Sequence, residues 1–288
     1  MTVASVKDAV DAQLEGRSRT TEWVKNVTQT TTAGVWFDLT GSSGNPRAKQ
    51  WFDAAPLTAQ QIRQSTDGGI FHGSDVGGDG YTKYLRSVRL QCVSATPLPL
   101  NVILMDYLLY YPTIEDSVTD PQVMTNTNTL PRYTTGAGVQ MMAVTISART
   151  GGQQFTVSYT NQAGVSGRTS GVMTQNTAAA PGSIVTTSTT SVNGASPFIT
   201  LQDGDTGVRS VESVTMLGAD TGFFSIVLCK PLASTSLRGI DAVYEKDFLV
   251  MASEMPVIVD DAFISPIVLP QGSMSGVALR GNLISIWN

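Results

Sequence analysis

The longest apolar run in the chain, LNVILMDYLLYYP (residues 100–112), is broken before its proline only by Asn101 and Asp106. Both of its alternating registers are apolar, Val102/Leu104/Leu108 on one side and Ile103/Met105/Leu109 on the other. Such a segment is covered on both faces, as a central strand or a buried helix. Val, Ile and the tyrosines favour the strand, and Pro112 is expected to end it. The run is too short to cross a bilayer as a helix.

Elsewhere the pattern alternates. Val88, Leu90 and Cys92 point one way and Ser87, Arg89 and Gln91 the other, which predicts a strand over 87–93. The following ATPLP turn predicts that this strand and the central run form a hairpin. Phe155, Val157 and Tyr159 alternate with Gln154, Thr156 and Ser158, and NQAG predicts a second hairpin into VSGRTSG. Further strands are expected at WVKNV and VWFDL, at 139–148, within 175–195, and at 198–201, 210–217 and 223–230. The C-terminal strands are expected in FLVMA, PVIVD, FISPIVL, VAL and LISIW. Helical patterns are few. Residues 5–15 place Val6, Val10 and Leu14 at i, i+4 and i+8, with Ser5 as cap and Gly16 as stop. This helix either docks on its own core or reaches a partner. Helical turns are also expected at 56–64, capped by Thr58, and at 236–247. Residues 66–80 are glycine-rich and irregular. Residues 114–133 form a long polar connection marked by Pro121 and Pro131, of the kind found at interfaces.

Arg86-Ser87-Val88 precedes the first buried pair of strands and Arg209-Ser210-Val211 the second, each after an apolar pair and a Gly/Asp-rich loop. This weak repeat fits two related β-sandwich halves, although short β patterns also recur by chance. The fold class expected is mainly β: a jelly-roll-like sandwich, as one unit or two related halves, with a short N-terminal helix. Residues 1–22 form an arm and 23–288 a β-rich domain, with a sub-division near 134–150.

Composition sharpens this picture. Hydrophobic residues make up 41% of the 288-residue chain, enough for a large core, but charged residues only 14%. Sparse charge suits either a surface covered by neighbours or a weakly charged monomer. A net charge of −5 and a pI near 4.9 argue against binding a phosphate backbone. Residues 1–15 are polar and lack the apolar segment of a signal peptide. Cys92 and Cys229 sit in apolar strand patterns and read as buried, reduced thiols.

Candidate chemistry is thin. His72 is the only histidine, and it reads as a loop residue bonded to backbone rather than as part of a triad. The sequence has no nucleophile elbow, HExxH, CxxC pair or P-loop. Asp75, Asp79, Asp203 and Asp205 lie in glycine loops of the kind that offer oxygens to Ca²⁺, yet turn chemistry accounts for them. Asp106, the one acid in the central run, is expected to pair with an arginine or backbone donors or to face a subunit contact. Asp260 and Asp261 read as a solvated turn. No catalytic residue, metal or cofactor is expected.

Several strings carry a resemblance: VWFDL, GNP and AAPL within 35–57, GGIFHG (68–73), MDYLLYYP (105–112), TLPRY (129–133), GVRS (207–210) and KPL (230–232). Together they resemble a family of tailed-bacteriophage virion proteins over nearly the whole chain from residue 35. The resemblance implies a structural, non-enzymatic component of the particle. Its best placement is a capsid cement or decoration protein on the outside of the shell, made in the host cytoplasm. Its partners would be the major capsid protein and further copies of itself, with neither nucleic acid nor membrane. A tail or head-fibre component and a virion hydrolase are the alternatives. The interface residues expected are Val6, Val10 and Leu14 on the arm and Pro121, Pro131 and Tyr133 on the long connection.

Overall fold

A computed structural model describes residues 5–177, 179–188, 196–240, 242–251 and 255–288. The protein is mainly β, 43% strand and 7% helix, and its strands form three antiparallel sheets in a sandwich arrangement. The first outer sheet contains β1 (Ser18–Val27), β3 (Ser43–Asn45), β5 (Lys83–Cys92), β15 (Tyr244–Asp247), β16 (Val257–Ile258) and β18 (Val277–Trp287). The central sheet contains β2 (Phe37–Asp38), β4 (Gln60–Gln61), β6 (Leu100–Glu115), β8 (Gln140–Thr145), β14 (Phe223–Leu237) and β17 (Phe263–Leu269). The second outer sheet contains β7 (Gln122–Val123), β9 (Gln154–Asn161), β10 (Arg168–Thr169), β11 (Met173–Thr174), β12 (Thr187–Ser188) and β13 (Val208–Met216). Among the described residues there are also three short α-helices, α1 (Val6–Leu14), α2 (Gln64–Asp67) and α3 (Phe248–Met251), and one turn of 3-10 helix at Gly77–Asp79.

The central apolar run is β6, paired on one side with β14 and on the other with β17. Pro112 does not end it. The strand continues to Glu115 because Pro112 and Thr113 together oppose the single residue Ser225, a bulge that accommodates a residue without an N–H. A second bulge at Leu108 shifts the alternation, so both Leu108 and Leu109 face the same core. Leu100, Val102 and Leu104 pack with Trp23, Val88, Leu90 and Leu283 under the first outer sheet. Leu109, Tyr111 and Ile114 pack with Phe155, Val157, Tyr159 and Val214 under the second. The opposite face of the sheet carries Met105, Tyr107 and Tyr110, covered by Trp36, Trp51 and Ile62 from the early loops. One strand therefore supplies both sandwiches.

The alternation at 87–93 and 154–159 forms β5 and β9 as expected, and β9 alternates without a break. Within β5, Ser87 is buried although it lies on the side opposite Val88 and Leu90. The predicted hairpin between β5 and the central run is absent. β5 lies in an outer sheet and β6 in the central one, so the ATPLP turn arches between layers. The β13-to-β14 connection makes the same crossing, and β6 and β14 then pair antiparallel. The sequence repeat thus has a structural counterpart.

Other local expectations are corrected. Residues 56–64 supply the two-residue strand β4 on β6, and the helical turn α2 follows it. Within 236–247, Tyr244–Asp247 is a strand on β5, and the helix α3 comes from the FLVM that reads as strand. Residues 198–201 form no strand, although Ile199 N–H donates to the Met141 carbonyl. The expected strand within 175–195 is reduced to β12, and residues 189–195 lie outside the described residues. Both cysteines are buried thiols, Cys92 in β5 and Cys229 in β14.

Candidate interaction surface

Helix α1 begins at a capping box. Ser5 Oγ accepts from Asp8 N–H at 3.2 Å, and the Asp8 carboxylate accepts from Ser5 N–H at 2.9 Å. Nine residues make a marginal helix alone, so its packing decides its stability. Ala9 and Ala12 are fully buried, and Ala9 sits against Tyr84 of β5 and Ile286 of β18. Their small side chains let the helix approach the outer sheet closely. Val6, Val10 and Leu14 lie roughly 130° around the helix at 100° per residue. They are 62%, 44% and 80% exposed. The helix therefore docks on its own sheet through alanines and turns its larger apolar stripe outward.

The cluster that anchors Ala9 also takes in Leu249 of α3 and Met255. At this end of the sheet α3 exposes Val250 and Met251, and β16 exposes Val257. These apolar residues were not expected as a surface, because FLVM reads as a strand. Only the helical backbone of α3 separates Phe248, which is buried, from Val250 and Met251, which are not.

The residues expected on the long connection lie elsewhere. Pro121 is exposed beside β7, at the edge of the second outer sheet. Pro131 and Tyr133 are half-buried. Tyr133 packs on the core shared by the central and second outer sheets, with Lys230 Nζ 5.7 Å from its ring centroid. Burial raises its phenol pKa. Val6, Val10 and Leu14 thus lie on the first outer sheet, whereas Pro121 flanks the second outer sheet and Tyr133 packs on the core beneath it. The connection is also more structural than its composition implies. Gln122 is buried and bonds both the N–H and the carbonyl of Glu115, and Arg132 is nearly inaccessible.

Arg132 reaches Asp106 with Nε at 3.0 Å and Nη2 at 2.7 Å, and also donates to the Ile62 and Tyr107 carbonyls. Asp106 further accepts from Phe263 N–H at 3.0 Å. Burial pushes its carboxyl up to about 6, against the pull of Arg132. The expected arginine and backbone partners are both present. His72 is fully buried; Lys83 Nζ, which can only donate, lies 3.1 Å from its Nδ1. The ring is therefore the neutral tautomer that donates from Nε2 to the Ala262 carbonyl at 3.0 Å. Burial, with the Lys83 charge beside it, lowers its pKa to about 4. Lys25 is buried with its ammonium among the carbonyls of Ser42, Pro46, Thr40 and Arg47 at 3.0–3.4 Å. Burial depresses its pKa to about 8.

The loop acids are used in the same way. Asp205 accepts from Tyr159, Asn161 and Arg168. Asp260 and Asp261 are not simply a solvated turn. Asp260 accepts from Val76 and Gly77 N–H, and Asp261 from Ser65 N–H and Arg63. Together with Asp75, which accepts from Asp261 N–H, they fasten the glycine loop. Among the described residues no group of three or more His, Cys, Asp or Glu is placed to hold a metal ion. Among them, too, no helix is long and apolar enough to cross a membrane. Asp106, Asp205, Asp260, Asp261 and His72 thus serve as braces within the fold, and α1 and α3 carry several of the exposed large apolar side chains. No family model, curated protein or solved structure matches the chain.

Proposed function

We propose that this chain is a structural protein of a tailed-bacteriophage virion, and within the particle a cement protein that binds the major capsid shell as a homo-oligomer. The observation that carries the reading is the apolar stripe Val6/Val10/Leu14, held outward on a helix already docked and capped. A pre-ordered stripe loses little conformational entropy on binding, and repetition on a symmetric lattice multiplies a weak contact. Three further features support the reading. The strings of the resemblance include core elements: MDYLLYYP lies within β6, and TLPRY contains the Arg132 that braces it. Charge is sparse, at 14% of residues. The buried ionic groups described above bond within the scaffold, as a stiff structural protein requires.

The test combines copy number with a surface variant. Protein stoichiometry of purified heads and tails is expected to give hundreds of copies on heads. A handful or tens, or presence only in tails, overturns the cement role in favour of a fibre. The triple variant Val6→Ser, Val10→Ser, Leu14→Ser keeps the Ala9 and Ala12 anchor, so it is expected to fold normally and fail to decorate capsids. Normal decoration by a folded triple variant refutes the docking role of α1.

A further inference from the structure

A cavity of about 250 Å³ opens between the end of β8 and the loops around 38–52 and 181–182. It belongs to none of the surfaces described above. Asp38 forms part of its lining, but that carboxylate is saturated: Thr40 N–H and Oγ1, Tyr107 Oη and Trp51 Nε1 all donate to it. No other charged side chain lines the space. Two lining residues carry unpartnered polar atoms among the described residues. These are the Thr145 hydroxyl, on a side chain only 1% exposed, and Gln29 Oε1. Gln50 adds a second amide, folded so closely over Gly41 that a Cβ there would lie 3.2 Å from its Oε1. Phe52 also lines the cavity and leaves 46% of its surface in solvent.

Buried polar groups are bonded to protein, water or ligand, so the Thr145 hydroxyl and Gln29 Oε1 offer free bonding positions to whatever occupies this cavity. The chemistry on offer is one unpartnered hydroxyl, two planar amides and an exposed aromatic, with no uncompensated charge. The volume is below the roughly 300–1,000 Å³ of pockets for drug-sized molecules and corresponds to about eight waters. We propose that this cavity binds one neutral pyranose ring of a glycan, with its hydroxyls bonded by Thr145, Gln29 and Gln50 and its C–H face against Phe52. An ionic ligand is disfavoured because its charge would meet only neutral groups and a saturated carboxylate. This inference does not depend on the virion reading.

Saturation-transfer NMR of the full chain with the methyl glycosides of glucose, galactose, mannose and N-acetylglucosamine tests it, with methyl glucuronide as the charged control. At least one neutral sugar is expected to show transfer at millimolar concentration, and the glucuronide much less. Phe52→Ala and Thr145→Val are each expected to weaken that signal at least five-fold. Thr145→Val removes a hydroxyl without a partner, so its melting temperature is expected to be equal or higher, which separates lost binding from lost folding. Absence of transfer from every neutral sugar overturns the proposal. So does transfer that persists in both variants, or a glucuronide signal as strong as the neutral one.

Discussion

Asp106→Ala tests the bracing of the central strand most directly. In the wild type the carboxylate is fully buried and holds three donors: two from Arg132, itself 4% exposed, and Phe263 N–H. The substitution leaves a guanidinium with only the Ile62 and Tyr107 carbonyls and an amide of β17 with no acceptor. Breaking a buried pair on one side costs about 3–5 kcal/mol. At about 2–4 °C per kcal/mol for large domains, the melting temperature is expected to fall by roughly 6–20 °C. Thermal unfolding by circular dichroism, with urea midpoints as a second measure, reads this out. The double variant Asp106→Leu, Arg132→Met is the control. It removes both charges together, and such apolar replacements are often neutral or stabilising. It is expected to be more stable than Asp106→Ala. An unchanged midpoint for Asp106→Ala, or a double variant as unstable as the two single losses added, refutes the reasoning.

Three further outcomes follow from the same kind of contact. His72 is neutral in the fold, with a pKa near 4 against an ordinary 6.5. Its contribution is fully present above pH 6.5 and is lost as pH falls toward 4, about 3 kcal/mol in all. Asp106, raised from 3.8 to about 6, acts in the opposite sense between those values, so the His72 share is read as the difference in pH slope between wild type and His72→Gln; identical slopes count against it. Gly281→Ala places a Cβ 2.6 Å from the Trp23 indole and 2.8 Å from the Arg89 carbonyl. A loss of about 1–3 kcal/mol in urea unfolding is expected, and an unchanged midpoint would show that Trp23 can move aside. Lys25→Met withdraws the shared donor from the carbonyls of Ser42 and Pro46, and about 1–3 kcal/mol should be lost, with earlier proteolysis in the 40–47 loop; protease resistance equal to wild type would contradict this.

What could be read from the sequence was whatever depends on near neighbours. Phe155, Val157 and Tyr159 declare a strand because a period of two needs only the strand itself. Ser5 and Asp8 declare a helix start because the capping box spans three residues. The pairing of β5 was missed because a turn sequence such as ATPLP reverses the chain equally well within a sheet or between sheets; the choice depends on β18 and β15, which lie far along the chain. Residues 244–247 form a strand because the free edge of β5 offers them a ladder, and this tertiary contact overrides a weak local helical pattern. The α1 stripe was legible, but its direction was not, since burial of two alanines carries little hydrophobic signal. Arg132 could not be matched to Asp106 by spacing alone. The cavity at Thr145 is invisible for the same reason, as its lining comes from three separate stretches, 29–52, 144–146 and 181–182.

The way the sheets share strands predicts how the molecule unfolds. The first outer sheet draws β1, β3 and β5 from the early chain and β15, β16 and β18 from the end. The central sheet combines β2, β4 and β6 with β8, β14 and β17, and the second outer sheet pairs β7 with β13. No cut near 134–150 leaves a sheet intact. Moreover β6 contributes Leu100–Leu104 to one core and Leu109–Ile114 to the other, and β14 contributes Leu237 to the first and Phe224, Ile226 and Leu228 to the second. Neither outer sheet can lose its central partner without exposing the other's core. The chain is therefore expected to unfold in one cooperative transition despite having two sandwich cores, although chains this long often unfold in steps. Hydrogen exchange monitored by mass spectrometry across a urea series checks this, by comparing β9 and β13 with β1 and β18. Protection is expected to collapse at the same urea concentration in both outer sheets. If β9 and β13 open well before β1 and β18, the two halves are independent and the shared strands do not couple them.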